Sequence, residues 1–533
     1  MSHPEYFSFD EFKVRKAKLD EIRQLGVNPY PHHFVPTDKL KALSDRYSDK
    51  EVGTYEEAME KKTPPVIVAG RLVLHRAMGK NIFAQIQEEL GHIQLMFNRD
   101  LTKVTGLNEN SEVTNHKFIE KKLDLGDIIG VEGHLFRTQK GELTVMVHQM
   151  TLLTKSLLPL PDKHSGLKDK ETRYRKRHLD LISSPEVMAT FILRSKIISL
   201  MRTFFEQEDF IEFETPVLER VYGGAQAKPF TTHLNALHQD MFLRISLELP
   251  LKKLIVGGFN RVYQIGKDFR NEGIDHTHNP EFTMVEFYAA YWDYNDQKRF
   301  TERLFEYIAL QLFGTTKLGL RKDKHGKEHE IDLKAPWPAI SMFDAIHKFG
   351  GYKIDEMSDA EMRTTLKEKS SLPHDKINEI TERGLLVQKM FEEFVERHLI
   401  QPHFIIDHPI ETTPLCKLHR DPKLAKDGIV ERFELFILGT EFCNAYTELN
   451  DPELQRDLLE RQQRMLEAGD EEANPIDEEF LEAIYQGMPP TGGNGIGIDR
   501  LVMLFTNQTS IRDVIFFPLM KDHQEQALEE SRG

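Results

Sequence analysis

Residues Val262 to Tyr291 read VYQIGKDFRNEGIDHTHNPEFTMVEFYAAY, a pattern of strand, polar loop and strand. In an extended chain successive side chains point to opposite faces. Over Glu281 to Tyr288 one face therefore carries Phe282, Met284, Glu286 and Tyr288, and the other Glu281, Thr283, Val285 and Phe287. A glutamate between aromatic neighbours is costly in an apolar core, whereas a polar pocket with stacking walls accommodates it. On the entering strand the same parity aligns Arg270 with Glu272. A solvated sheet face laced with cross-strand ion pairs accounts for these residues equally well, so the stretches around them must decide.

Two of those stretches carry chemistry. PPTGGNGIGIDR (Pro489 to Arg500) lacks the Gly-Lys-Ser/Thr ending of a phosphate loop and does not open a nucleotide-binding half. Instead Gly493, Gly495 and Gly497 alternate, which predicts a strand with one bare face that a flat ligand can approach, capped by Arg500. In ELFILGTEFCNAYTE (Glu434 to Glu448), Gly439 predicts a turn that lets Glu434 and Glu441 face one another across a hairpin. Two carboxylates with a nearby asparagine, and neither histidine nor thiolate, suit a hard cation such as Mg2+ that also takes phosphate oxygens; a solvated pair is the plain alternative. Asn444, Tyr446 and Glu448 share a parity that Glu441 lacks, so a bulge or turn must intervene if all line one site.

Upstream, five short strand-like runs between Val66 and Val147 suggest a small closed β-barrel over 64–155, preceded by a charge-rich helical extension over 1–63. The proline-punctuated, basic segment 156–180, with Arg173, Arg175, Lys176 and Arg177, reads as a linker. The 3.6-residue periodicity from Val187 to Phe205 predicts a long helix opening a second domain over 181–533, within which about 336–400 has the texture of a helical insertion. Asp451-Pro452 predicts a helix start by its N-cap and first-turn proline. The 533 residues, at roughly 150 per domain, exclude a small stapled scaffold. Cys416 and Cys443 form no zinc-like spacing, and no leader-like amino terminus or bilayer-length apolar run occurs, so a cytoplasmic protein with no membrane segment is expected. The net charge of −16 argues against nucleic acid only on average, because one local basic patch escapes such a count.

Taken together and in order, these stretches resemble the three signature motifs of class II aminoacyl-tRNA synthetases. The first is matched by FIEFETPVL (Phe210 to Leu218), the second by Phe269-Arg270-Asn271-Glu272, and the third by Gly493-x-Gly495-x-Gly497-x-x-Arg500. The resemblance runs from about Val66 to Leu519 and is most specific for the lysine branch, through GGAQAKPFTTHLNAL (Gly223 to Leu237), HNPEFTMVEFY, NAYTELND and PPTGGNGIGIDRLVMLFTN. It implies an α+β chain, an N-terminal OB-fold barrel followed by an antiparallel-sheet catalytic domain with helices. It also implies an ATP-dependent ligase that activates L-lysine and transfers it to tRNA(Lys), working as a homodimer.

By the same resemblance, Arg270 would hold the α-phosphate of ATP and Arg500 the γ-phosphate while flanking the adenine. Phe282 would stack on the other side, Glu272, His278 and Asn279 would contact the nucleotide beside Gly497, and Glu434 and Glu441 would bind Mg2+. Lysine's side-chain ammonium needs carboxylate, since an unpaired buried ammonium is expensive. Glu286 and Glu448 are the candidates, assisted by Tyr288 and Asn444, with Glu248 and Gly224 at the α-amino end. Aspartyl and asparaginyl relatives must read a short acidic or amide side chain, for which a pocket of glutamates is wrong. In the barrel, Phe83, Gln94 and Glu142 match positions that read the central anticodon base, and Arg76 is placed to contact a neighbouring base or phosphate. The chain departs from the family pattern at Asp209, where glycine is usual, at Leu247, where proline is expected, at Asn494, and in a longer run from Leu418 to Asp427. A protein-lysylating paralogue lacking the barrel and a catalytically dead RNA-binding module are the competing readings. The first lacks what this chain has, and the second requires losses this chain does not show.

Overall fold

The computed structural model describes residues 4–161, 167 and 169–521, and the chain divides after Ala189 into two compact units. In the first, β1 (Pro65–Met78), β2 (Asn81–Glu88), β3 (Gly91–Asn98), β4 (Ile128–Arg137) and β5 (Leu143–Thr154) form a closed barrel. β1 pairs antiparallel with β2 and β4, β2 with β3, and β4 with β5, and a parallel β3–β5 pairing shuts the ring. Alternation builds the interior: Ile82, Ala84 and Ile86 are fully buried, while the intervening Phe83 and Gln85 point outward and are only partly covered.

The expected extension is helical only in pieces, of which Asp10–Gln24 is the longest. It belongs to the barrel's own core, because Ile22 packs into the interior cluster and buried Arg15 donates to the carbonyls of Leu125 (2.9 Å) and Leu158 (3.2 Å). The linker expected over 156–180 differs from that reading. Two short helices, Lys170–Arg175 and Arg177–Ser183, stand there, with Arg175 paired to Glu171 (2.7 Å), and Arg173 (2.8 Å) and buried Arg177 (2.9 Å) both paired to Asp180. The three arginines of the basic run are therefore held in local ion pairs, while Lys176 is exposed.

The second unit is built on an eight-stranded sheet. Its strands are β6 (Ile211–Glu212), β7 (Arg261–Phe269), β8 (Glu281–Ala290), β9 (Ala339–Ser341), β10 (His403–Pro409), β11 (Ile429–Ile437), β12 (Thr440–Thr447) and β13 (Thr491–Gly497). They lie in the order β9-β10-β11-β12-β13-β8-β7-β6, antiparallel except for the two short edge strands, each of which pairs in parallel. One face carries the apolar core. Val285 and Phe287 of β8 meet the helices Pro185–Gln207, Tyr294–Phe313 and Ile498–Thr506, with Phe205 stacked on Tyr263 at 4.4 Å. Phe282, Met284, Glu286 and Tyr288 point to the other face, as the parity of β8 requires.

Residues 342–400 follow β9 with short helices around a separate apolar cluster that includes Met390 and Phe391. Asp451 caps the helix Pro452–Glu467 by accepting from the backbone N–H of Glu453 (3.1 Å). Asp209 adopts a left-handed backbone, φ 61°, which explains why glycine suits that position and why aspartate, more tolerant of it than most residues, can stand in. Among the described residues no helix is long and apolar enough to cross a membrane.

Candidate active site

The glycine strand β13 lies between β12 and β8, so its bare positions are flanked by the carboxylate-bearing faces of both neighbours. A cavity of about 390 Å3 opens over them. Every residue expected to contact nucleotide, lysine or cation lines this one cavity, from Gly224 to Arg500. The parity mismatch of Glu441 resolves as anticipated. Leu435 pairs with Cys443 but Phe436 pairs with Glu441, so a bulge at Phe442 rephases β12 and turns Glu441 to the same side as Asn444. The turn itself, Leu438-Gly439, has positive φ at both residues (57° and 68°) and therefore calls for a glycine.

Three buried carboxylates form one end of the cavity. Glu286 accepts from Ser246 Oγ (2.8 Å) and the Leu247 N–H (3.0 Å) on one oxygen and from the Tyr288 hydroxyl (2.9 Å) on the other. The departure at Leu247 has a consequence here, since the expected proline has no N–H to give. Burial, reinforced by Asp268 and Glu248 and partly offset by the Leu247 and Ser246 hydrogen bonds, pushes the Glu286 carboxyl up to about 7. Glu248 accepts from the Tyr446 hydroxyl (2.6 Å), and Glu248 and Glu448 both contact the ammonium of fully buried Lys252. Gly224 has φ 87°, and a Cβ there would lie 2.9 Å from the Glu248 and Ser246 side chains, so glycine is needed for the close approach.

The other end is cationic. β7 stops at Phe269, so Arg270 and Glu272 stand on the exposed loop after it rather than sharing a strand face as expected. The Arg270 guanidinium sits 5.1 Å from the centroid of the Phe282 ring and donates to the Ile245 carbonyl (3.3 Å). Arg500, on the first turn of Ile498–Thr506, donates to the Glu441 carbonyl (2.7 Å) and lies 3.2 Å from His278 Nε2. The other ring nitrogen of His278 is 2.8 Å from Asp275; burial opposes ionisation of that carboxyl, but His278 and the backbone N–H groups of Thr277 and His278 outweigh it and hold Asp275 near 2. Asn279 donates to the Glu281 carbonyl (2.6 Å) and leaves its own buried oxygen unpartnered.

Glu434 and Glu441 reach the cavity beside Arg500. Burial, with a contribution from Glu441 and against the pull of Arg432 (2.6 Å), pushes the Glu434 carboxyl up to about 7. Two neighbouring carboxylates fit a hard cation by their oxygen-donor chemistry, and no group of three or more histidines, cysteines or carboxylates placed to hold a metal occurs among the described residues. The bare face of β13 is only partly free, which corrects the expectation of an open glycine strand. A Cβ on Gly493 would meet the Tyr288 ring at 2.5 Å and the Glu448 carboxylate closer still, and one on Gly495 would meet Met284 at 3.0 Å. Only Gly497 has room, its nearest neighbours being Arg500 carbons at 3.8 Å or more. Asn494 points to the opposite face, donating to Thr301 Oγ1 (2.8 Å).

Sequence reasoning missed Ser246, Lys252, Arg432 and the role of Tyr446. Only Lys252 left a signal, its spacing of four from Glu248 on the helix Glu248–Val256. Arg432 fixes Asn444 through its side-chain oxygen (2.9 Å) and Glu434 at once.

In the barrel, Arg76 of β1 pairs across from Phe83 of β2, which pairs across from Met96 of β3. Phe83 lies off the main interior, against a small cluster of Ala58, Met96, Phe136 and Met146. Gln94 is tied to Thr144 Oγ1 (2.9 Å), and Glu142 is exposed two residues before that threonine. One outer surface of the barrel thus presents a cation, a half-covered ring, an amide and a carboxylate.

Residues 169–521 match the family described as tRNA synthetases class II (D, K and N), and residues 66–153 match the OB-fold nucleic acid binding domain. The chain is 55% identical to the lysine–tRNA ligase of Chlamydia felis over 97% of its own length and 98% of that protein. It is 54% identical to the lysine–tRNA ligase of Chlamydia caviae, covering 98% and 99%, and 46% identical to that of Methanoculleus marisnigri, covering 98% and 96%.

Proposed function

The chain belongs to the class II tRNA synthetases of the D, K and N group, ATP-dependent ligases, and from that premise we propose that it activates L-lysine and joins it to tRNA(Lys). The observation that carries the lysine assignment is the cluster of Glu248, Glu286 and Glu448, all buried at one end of a cavity whose other end holds Arg270 and Arg500. A cavity so lined suits a substrate with an ammonium at each end of an aliphatic chain, and repels aspartate. Glu286 and Glu448, with Tyr288 and Asn444, receive the side-chain ammonium; Glu248 and the close approach at Gly224 receive the α-ammonium.

In the first step a carboxylate oxygen of lysine attacks the α-phosphorus of ATP, the bond to the β-phosphate oxygen breaks, and pyrophosphate leaves. The attacking group is already an anion, so no general base is needed and the work is positioning and charge stabilisation. Arg270 holds the α-phosphate side of the nucleotide, Arg500 the γ-phosphate, Phe282 stacks on the adenine opposite Arg500, and Glu272, His278, Asn279 and the open backbone at Gly497 complete the nucleotide site. Glu434 and Glu441 would hold Mg2+, which when bound supplies positive charge to the phosphate oxygens. In the second step a hydroxyl of the terminal ribose of tRNA attacks the lysyl carbonyl carbon and AMP leaves.

Phe83 stacks on a central anticodon base, with Gln94 and Glu142 at its edge and Arg76 on a neighbouring phosphate or base. The half-exposed Ile211 on the open sheet edge at β6 supports a homodimer, and the two free buried cysteines support a cytoplasmic setting. Lysine-dependent ATP–pyrophosphate exchange tests the assignment; exchange driven by aspartate or asparagine instead overturns it.

A further inference from the structure

Lys252 is fully buried on the helix Glu248–Val256, one turn beyond Glu248, and does not itself line the cavity. Its ammonium touches the carboxylates of Glu248 and Glu448 and lies 5.6 Å from the centre of the Tyr446 ring and 5.9 Å from that of Phe480. Burial favours the neutral amine, but the two carboxylates outweigh it and hold Lys252 more firmly protonated than an ordinary lysine. Glu448 is otherwise poorly served, since its Oε1 is buried, has no hydrogen-bond partner in the described structure, and belongs to a residue that lines the cavity. Burial, with Glu248 and Glu286, pushes the Glu448 carboxyl well above the ordinary carboxylate range, and Lys252 is the cation that opposes this; its further neighbours Tyr446 and the buried Cys416 bring no positive charge.

The charges then match the substrate. With lysine bound and all three carboxylates ionised, one resident ammonium leaves two negative charges for the two ammonium groups of lysine, whose own carboxylate is turned to the cationic end of the cavity. Without Lys252, the third carboxylate would face two like charges in a site shielded from water, and one of the three would take up a proton in place of a substrate contact.

Building on the lysine assignment above, we propose that Lys252 is a positioning residue that sets the charge of the amino-acid pocket, placing a buried cation between Glu248 and Glu448 and aiming both carboxylates so that the pocket accepts two ammonium groups. It does so from behind, without touching lysine.

Lys252→Met keeps an unbranched side chain and deletes the charge. In lysine-dependent ATP–pyrophosphate exchange its KM for lysine should rise by at least about ten-fold, the loss expected when a charged hydrogen-bond partner is withdrawn, while the KM for ATP stays within about two-fold. A lysine KM within about three-fold of that of the unaltered chain overturns the proposal, as does a parallel rise in both KM values, which marks a packing defect. If Lys252→Met does not fold, Lys252→Gln, which keeps a donor without the charge, is held to the same criteria. The unaltered chain is assayed alongside. Absence of lysine-dependent exchange there removes the lysine assignment and this proposal with it, whereas normal exchange there and an unchanged lysine KM in the variant remove only the role of Lys252.

Discussion

Glu286→Gln isolates charge from shape. The glutamine oxygen can still accept from Ser246 Oγ and the Leu247 N–H, and its amide can donate to the Tyr288 hydroxyl, so the hydrogen-bond frame seen around Glu286 survives. The loss is one negative charge at a position only 4% exposed. Removing one partner of a buried, hydrogen-bonded charge pair costs about 2–5 kcal/mol, and a middle value of about 3 kcal/mol is roughly 150-fold in affinity. The assay is lysine-dependent ATP–pyrophosphate exchange under saturating ATP. The lysine KM should rise by about that factor, with the ATP KM and the thermal midpoint nearly unchanged. A lysine KM within about three-fold of the original would refute the placement of Glu286 against the substrate ammonium.

Other outcomes follow from the same geometry. With Glu286 at about 7, the free protein carries it protonated below neutrality, so the lysine KM should fall roughly ten-fold between about pH 6 and about pH 8. The stability contribution has the opposite sense: this raised carboxyl favours the folded state most below its ordinary value of about 4.5 and less as pH climbs to 7, so thermal midpoints should not rise with pH through that window on its account. Leu247→Pro removes a donor to Glu286 and should move the fall in lysine KM to higher pH; an unmoved curve contradicts the assignment of that titration. Gly493→Ala drives a methyl into Tyr288 and Glu448 and should abolish exchange while circular dichroism stays native, and full activity would mean those side chains are free to yield. Phe83→Ala should lower tRNA charging by about 5- to 150-fold, the worth of one stacked base, and leave exchange intact; equal loss of both contradicts an anticodon role.

Strand parity was legible in the residues themselves because its period of two is local: the pocket face of β8, and the need for a bulge before Asn444, both follow from counting. The helix start at Asp451-Pro452 was legible for the same reason, since a cap acts within one turn. The two short helices over 170–183 were not legible, because basic residues look alike in a linker and in a helix whose charges are paired. Only the fold shows Arg177 buried against Asp180. Ser246 and Tyr446 were illegible because each acts through a partner distant in sequence, Ser246 on Glu286 and Tyr446 on Glu248. The glycine strand was half legible: its bare positions are real, but two of the three are filled by side chains from the neighbouring strand and from Glu448.

The central claim is that the buried carboxylates make this a lysine-charging enzyme. Aminoacylation of unfractionated tRNA, offered each of the twenty amino acids in turn with ATP and Mg2+, tests it most directly. Lysine alone should become attached, and only to tRNA that reads lysine codons; attachment of aspartate or asparagine, or of lysine to other tRNAs with equal efficiency, would contradict it.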